Sequence, residues 1–178
     1  MFDNKGITYI SPMKNIFFIT LACCILTANA TFAQVKKAEI IATGLTCSMC
    51  SNAIYKQLNT IVGVDSVLTD LNTNTFTVFL KPDNKYAPNL FKENIEKAGF
   101  FIGSLIVTVP GSVISGNANQ FIPLGKSSPI NEEEISIKIF DEGYVTQKEH
   151  KKYLKTFASV GTYAQNKADV FHYKIENK

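Results

Sequence analysis

Between Lys36 and Val109 the hydrophobic pattern changes its period in a definite order. Ala38-Glu39-Ile40-Ile41-Ala42-Thr43 alternates as a strand does. Ala53, Ile54, Leu58 and Ile61 then recur at helical spacing, and Gly63 closes that helix. Gly63 to Thr69 reads as a second strand, and the turn formers Asp70-Leu71-Asn72-Thr73-Asn74 follow it. Thr75 to Leu80 alternates again, with Phe76, Val78 and Leu80 on one face, until Lys81-Pro82-Asp83-Asn84 breaks it. From about Ala87 a second helical stripe carries Leu90, Phe91, Ile95 and Ala98, with Gly99 as its C′ residue. Phe101 to Val109 is the last strand, stopped by Pro110-Gly111.

This order is the β-α-β-β-α-β unit of ferredoxin-like α+β domains, with two helices laid over one sheet face. The expected domain spans 34–110. Residues 111–178 follow a different pattern and are expected to form a small β-rich module with one helix. Gly111 to Asn119 reads as a linker or long hairpin loop, and Phe121-Ile122-Pro123-Leu124 as a short apolar piece. Glu134 to Phe140 reads as a strand. Thr146-Gln147-Lys148-Glu149 is a capping box, opening a helix that presents His150, Tyr153, Leu154 and Phe157 on one side. Ala168 to Ile175 alternates once more, with Phe171, Tyr173 and Ile175 facing one way and His172 expected on the exposed face opposite. Alone, a module of this size buries too little core to be stable, so it is expected to pack on the first domain or on a partner.

The N-terminus reads as a secretory signal, residues 1–33. Lys14 precedes the apolar run from Ile16 to Leu26, and small residues lead to cleavage after Ala33, with Ala30 as the alternative. Met13 is an alternative start, because residues 1–12 add nothing such a signal needs. The run is shorter than the roughly 20 residues of a membrane span. The expected location is therefore exported and periplasmic, with no stable membrane span after cleavage. Retention as an uncleaved anchor is the rival reading, and a lipidation site at Leu21-Ala22-Cys23-Cys24 fits poorly. Cleavage removes Cys23 and Cys24 and leaves Cys47 and Cys50, too close in sequence for a disulfide framework. Every basic residue is lysine, which argues against nucleic-acid recognition, where arginine's planar fork predominates.

Cys47 and Cys50 fall in Gly44-Leu45-Thr46-Cys47-Ser48-Met49-Cys50, between the first strand and first helix. A helix N-terminus carries partial positive charge and free N–H groups, which favour thiolate over thiol. The thiolate is the form that binds metal or attacks a disulfide. Glu132-Glu133-Glu134 reads as a solvated run. Tyr144, Tyr153, Tyr163 and Tyr173 lack the basic neighbours of a base-stacking set.

With Ala53-Ile54, Gly63-Val64 and Ile95-Glu96-Lys97-Ala98-Gly99-Phe100, the C-x-x-C loop makes residues 36–109 resemble a heavy-metal-associated domain. Such domains occur in copper chaperones, metal-transporting ATPases and periplasmic mercury-binding proteins. The resemblance implies Cys47 and Cys50 as paired thiolate ligands for a soft ion: Cu(I) first, with Hg(II) or Zn(II) as alternatives. Two sulfurs leave the coordination sphere open, so a partner's thiolate can join and the ion can pass on. Leu45 stands where the family usually has methionine; leucine should keep the apolar plug beneath the loop. Thr46, in place of an acidic residue, leans toward Cu(I). Phe100 aligns with an aromatic beside the loop, and core packing explains it equally well. Lys97 reads as a solvated helix lysine, Met49 as an outward side chain, and His150 as packed. A second metal site from His150 and His172 has no support in spacing.

The expected function is thus binding of a soft metal ion for transfer or sequestration, without enzymatic activity. The expected partners are the ion and a metal-transporting ATPase or another C-x-x-C protein. A thiol-disulfide oxidoreductase is the alternative, although the strand order is not thioredoxin's and no Trp precedes the cysteines. An interaction protein whose function lies in 111–178 is the third reading.

Overall fold

The computed structural model describes residues 34–82, 84–125, 130, 132–165 and 167–176. The expected signal segment lies outside the described residues. The elements run β1 (Lys37–Thr43), α1 (Ser48–Asn59), β2 (Val64–Asp70), β3 (Thr75–Leu80), α2 (Asn89–Lys97), β4 (Phe101–Pro110), α3 (Gly111–Gly116), β5 (Phe121–Pro123), β6 (Glu134–Ile139), α4 (Gln147–Thr156), a 3-10 turn (Tyr163–Gln165) and β7 (Phe171–Ile175). The first six are the ferredoxin-like unit, and the C-terminal region adds strands and one longer helix, an α+β architecture as the periods predict.

The seven strands among the described residues share one sheet, in the order β2-β3-β1-β4-β6-β7-β5. β1 pairs antiparallel with β3 and β4. The free side of β4 is taken by β6, from Leu105 opposite Ile139 to Pro110 opposite Glu134. The C-terminal strands therefore continue the first domain's sheet across the compositional change at Pro110.

Alternation decides what each face buries. Ala38, Ile40, Phe76, Val78, Leu105 and Val107 point to the face that α1 and α2 cover, and meet Ile54, Leu58, Phe91 and Ile95. Each of those four helix residues is fully buried, worth roughly 1.5–3 kcal/mol of stabilisation apiece. The stripe of α1 runs through Ser51, Ile54 and Leu58, while Ala53 is exposed. The inward place expected for Ala53 thus belongs to a small hydroxyl residue.

Gly111 to Gly116 forms a short helix rather than the expected linker, with Val113 and Ile114 in the core. Six residues are too few to display a helical period. A Cβ on Gly111 would meet the Glu132 carbonyl oxygen at 2.4 Å, so the small residue there permits close backbone approach.

A second apolar layer lies on the opposite face. Phe140 and Val145 join Leu124 and Tyr163, and Tyr153, Leu154, Phe157 and Val160 pack against them. This layer overturns the expectation for His172, which is 1% exposed. Alternation does place it opposite Phe171 and Tyr173. However, α4 and the turn after it cover that face as well.

Candidate metal centre

The cysteine loop is positioned by two helix ends. At the first, Cys47 is the N-cap of α1 with extended backbone (φ −156°, ψ 164°), and its carbonyl accepts the Cys50 N–H at 3.1 Å. At the second, α2 ends in a Schellman arrangement: the Gly99 N–H bonds the Glu96 carbonyl at 2.9 Å, and the Phe100 N–H bonds Ile95 at 3.1 Å. Gly99 has φ +87°, the left-handed conformation this requires. The turn delivers the half-buried Phe100 ring to the base of the loop, 3.9 Å from where a Cβ on Gly44 would lie. Leu45 packs on the core beside it, as the apolar plug expected there.

The two sulfurs are 3.2 Å apart, as free thiols. Cys47 is exposed and Cys50 half-buried. The Thr46 hydroxyl is 3.9 Å from the Cys50 sulfur. Hydrogen bonds to that sulfur, first from the Thr46 backbone N–H and then from the Cys47 thiol, lower Cys50 from its ordinary 9.0 to about 7. Near neutral pH a large share of Cys50 is thiolate. The observed separation exceeds a disulfide bond, about 2.05 Å. It falls short of the roughly 4.6 Å between sulfurs on opposite sides of one ion at zinc–thiolate bond lengths. Exposed Cys47 has room to rotate toward either arrangement, so the donor pair fits a soft ion of low coordination number.

Residues named from the sequence fall into two groups. Cys47, Cys50, Thr46, Leu45 and Phe100 converge on the loop. Met49 is 79% exposed. Lys97 is exposed and makes no ion pair among the described residues. His150 is half-buried, its ring edge-on to Tyr163 at 5.8 Å. His172 spends both ring nitrogens inside the protein, on Asp141 at 2.7 Å and Thr162 at 2.9 Å. The two histidines therefore build no second site. Among the described residues no group of three or more His, Cys, Asp or Glu could hold a metal. The role of the Thr46 backbone N–H had no sequence signal, because any residue but proline supplies one.

Residues 39–101 match the family model of the heavy-metal-associated domain, and this part of the chain belongs to that family. A copper-exporting P-type ATPase of Staphylococcus saprophyticus is 38% identical over 63 residues, 35% of this chain and 8% of that protein. The corresponding ATPase of Bacillus subtilis is 37% identical over 65 residues, 36% of this chain and 8% of that protein. The match thus spans only a small part of either relative's length. The yeast copper transporter domain CCC2A, solved in apo and Cu(I)-loaded states, is 35% identical, covering 36% of this chain and 88% of that one with a TM-score of 0.33. A heavy-metal-associated domain is a metal-binding module. Among the described residues no helix is long and apolar enough to cross a membrane.

Proposed function

We propose that this protein is an exported, non-enzymatic carrier of a soft metal ion, Cu(I) in the first place, held by Cys47 and Cys50 for transfer or sequestration. The observation that carries the reading is the exposed thiol pair at 3.2 Å, with Cys50 lowered to about 7, in a heavy-metal-associated domain. Soft thiolates select Cu(I) over hard cations. Two sulfurs on one exposed loop leave room for a third from a partner, so the ion passes by ligand exchange without ever being free. The matched relatives are copper-exporting ATPases, and a transporter of that kind or another C-x-x-C protein is the partner we infer. The N-terminal signal pattern supports a periplasmic location, where the pair must be kept reduced to bind.

An oxidoreductase using the same cysteines fits less well. Attack on an external disulfide calls for an exposed thiolate. Here the thiol favoured as thiolate is half-buried Cys50.

Chelator competition under reducing conditions tests the proposal. One Cu(I) should bind per reduced chain, and Cys47→Ala or Cys50→Ala should abolish it. A reduced chain that competes for neither Cu(I), Hg(II) nor Zn(II) would exclude the carrier reading. Turnover of insulin disulfides by that chain would establish the oxidoreductase instead.

A further inference from the structure

We propose that α4 is an electrostatic docking surface for an anionic phospholipid membrane. The inference is independent of the metal reading and rests on how the helix divides its two sides. Tyr153, Leu154 and Phe157 face the sheet and pack with Phe140, Val145 and Tyr163. Lys148, Lys151, Lys152 and Lys155 recur at i, i+3, i+4 and i+7 on the opposite side, and all four are exposed. That spacing lays four ammonium groups along one narrow stripe.

Among the described residues nothing neutralises this stripe. None of the four lysine side chains makes an ion pair or hydrogen bond among the described residues. Glu149, the one carboxylate of α4, is turned away. It pairs with Lys138 at 3.6 Å, and its backbone N–H bonds the Thr146 hydroxyl at 3.3 Å. Like charges at these spacings repel one another along a helix, and an anionic surface relieves that repulsion.

The composition of the stripe selects the kind of surface. Protein–protein interfaces are enriched in arginine and aromatic residues and depleted of lysine. Here every cation is lysine, and the aromatic rings of the helix are spent on the sheet. A diffuse row of ammonium groups without a directional anchor suits a plane of phosphate headgroups, which attracts basic residues by charge alone. The apolar side is already packed, so the helix adsorbs to the surface and does not insert.

Vesicle co-sedimentation of the full chain tests the inference. Vesicles of phosphatidylcholine with about 30% phosphatidylglycerol should bind it at least tenfold more tightly than phosphatidylcholine alone. Replacing the four lysines together by glutamine should remove that difference. Raising salt from about 50 to about 300 mM should remove it in the unaltered chain. The N-terminal apolar run, with Lys14 before it, is common to the unaltered and the glutamine chains, so the comparison of those two chains isolates the stripe. Equal binding to the two vesicle types would overturn the proposal. So would an undiminished difference in the glutamine variant, or binding to polyglutamate with none to anionic vesicles. Reversal of only Lys151 and Lys152 to glutamate covers failure of the fourfold variant to fold, and should also weaken binding to anionic vesicles.

Discussion

The Nδ1 of His172 lies 2.7 Å from Oδ1 of Asp141, and both side chains are buried. The other oxygen of the carboxylate accepts the His172 backbone N–H at 2.6 Å. On the far side of the ring, Nε2 meets the Thr162 hydroxyl at 2.9 Å. Three segments that share no secondary structure are thereby fastened together: the turn after β6, strand β7 and the turn after α4.

Removing the carboxylate strands two buried donors. Asp141→Ala should cost about 3 kcal/mol in denaturant unfolding. Asp141→Asn keeps an acceptor and should cost roughly half as much. Thr162→Val leaves the Asp141 bonds in place and should cost only about 1 kcal/mol. All three variants should still bind one Cu(I), because the cluster belongs to the C-terminal region and not to the cysteine loop. An undestabilised Asp141→Ala protein would show that this fastening contributes nothing.

The order of elements was legible because β1 to β4 obey one rule: a strand with one covered face alternates, and a helix on that face repeats at 3.6. The cysteine loop was legible because its chemistry is written in consecutive residues. His172 was misread because alternation says which residues share a face, not whether something covers that face. The covering layer comes from α4, whose destination is a tertiary matter. Asn94 was missed for a related reason. It sits on the buried side of α2, donating to the Leu90 carbonyl at 2.8 Å and accepting from Gln57 of α1 at 2.9 Å. A polar residue on an apolar stripe announces itself only once its partner is known.

Gly103 should prove essential to the loop's shape. It is the extra residue where the β1–β4 register shifts between Ile41 and Ala42. A Cβ there would stand 2.6 Å from Thr43 Cγ2, one residue before Gly44. Gly103→Ala must push Thr43 aside, costing about 2 kcal/mol. It should also weaken Cu(I) binding, which Asp141→Ala does not. Parallel unfolding and chelator-competition measurements separate the two effects, and unchanged affinity in Gly103→Ala would disconnect the bulge from the site.

The protonation of Cys50 should govern uptake below neutral pH. Its folded-state value, about 7, lies below the ordinary 9.0. The stability this group adds is therefore complete above about pH 9 and is lost as pH falls through about 7. Metal binding displaces the same proton, so apparent Cu(I) affinity should fall as pH drops below 7. Thr46→Val removes only the smallest of the bonds that lower Cys50 and should leave its titration nearly unchanged. Thr46→Pro removes the backbone N–H, the largest, and should raise it toward 9. Ultraviolet thiolate titration of the reduced protein reads both; a Thr46→Val shift as large as the proline variant's would assign the effect to the hydroxyl.

Truncation after Pro110 separates the site from the sheet that extends it. The shortened chain keeps β1 to β4, both helices and the cysteine loop. It loses the strand paired to β4 and the Val113 and Ile114 side chains that join the core. An unpaired β4 presents a full row of backbone donors and acceptors, a template for pairing with another chain. The truncated protein should therefore self-associate in sedimentation velocity and unfold at lower denaturant than the full chain. Its stoichiometry should remain one Cu(I) per chain under reducing conditions, because no described residue beyond 110 bonds to the cysteine loop. Loss of stoichiometric binding in a truncated chain that remains folded would show that the C-terminal strands take part in the site itself.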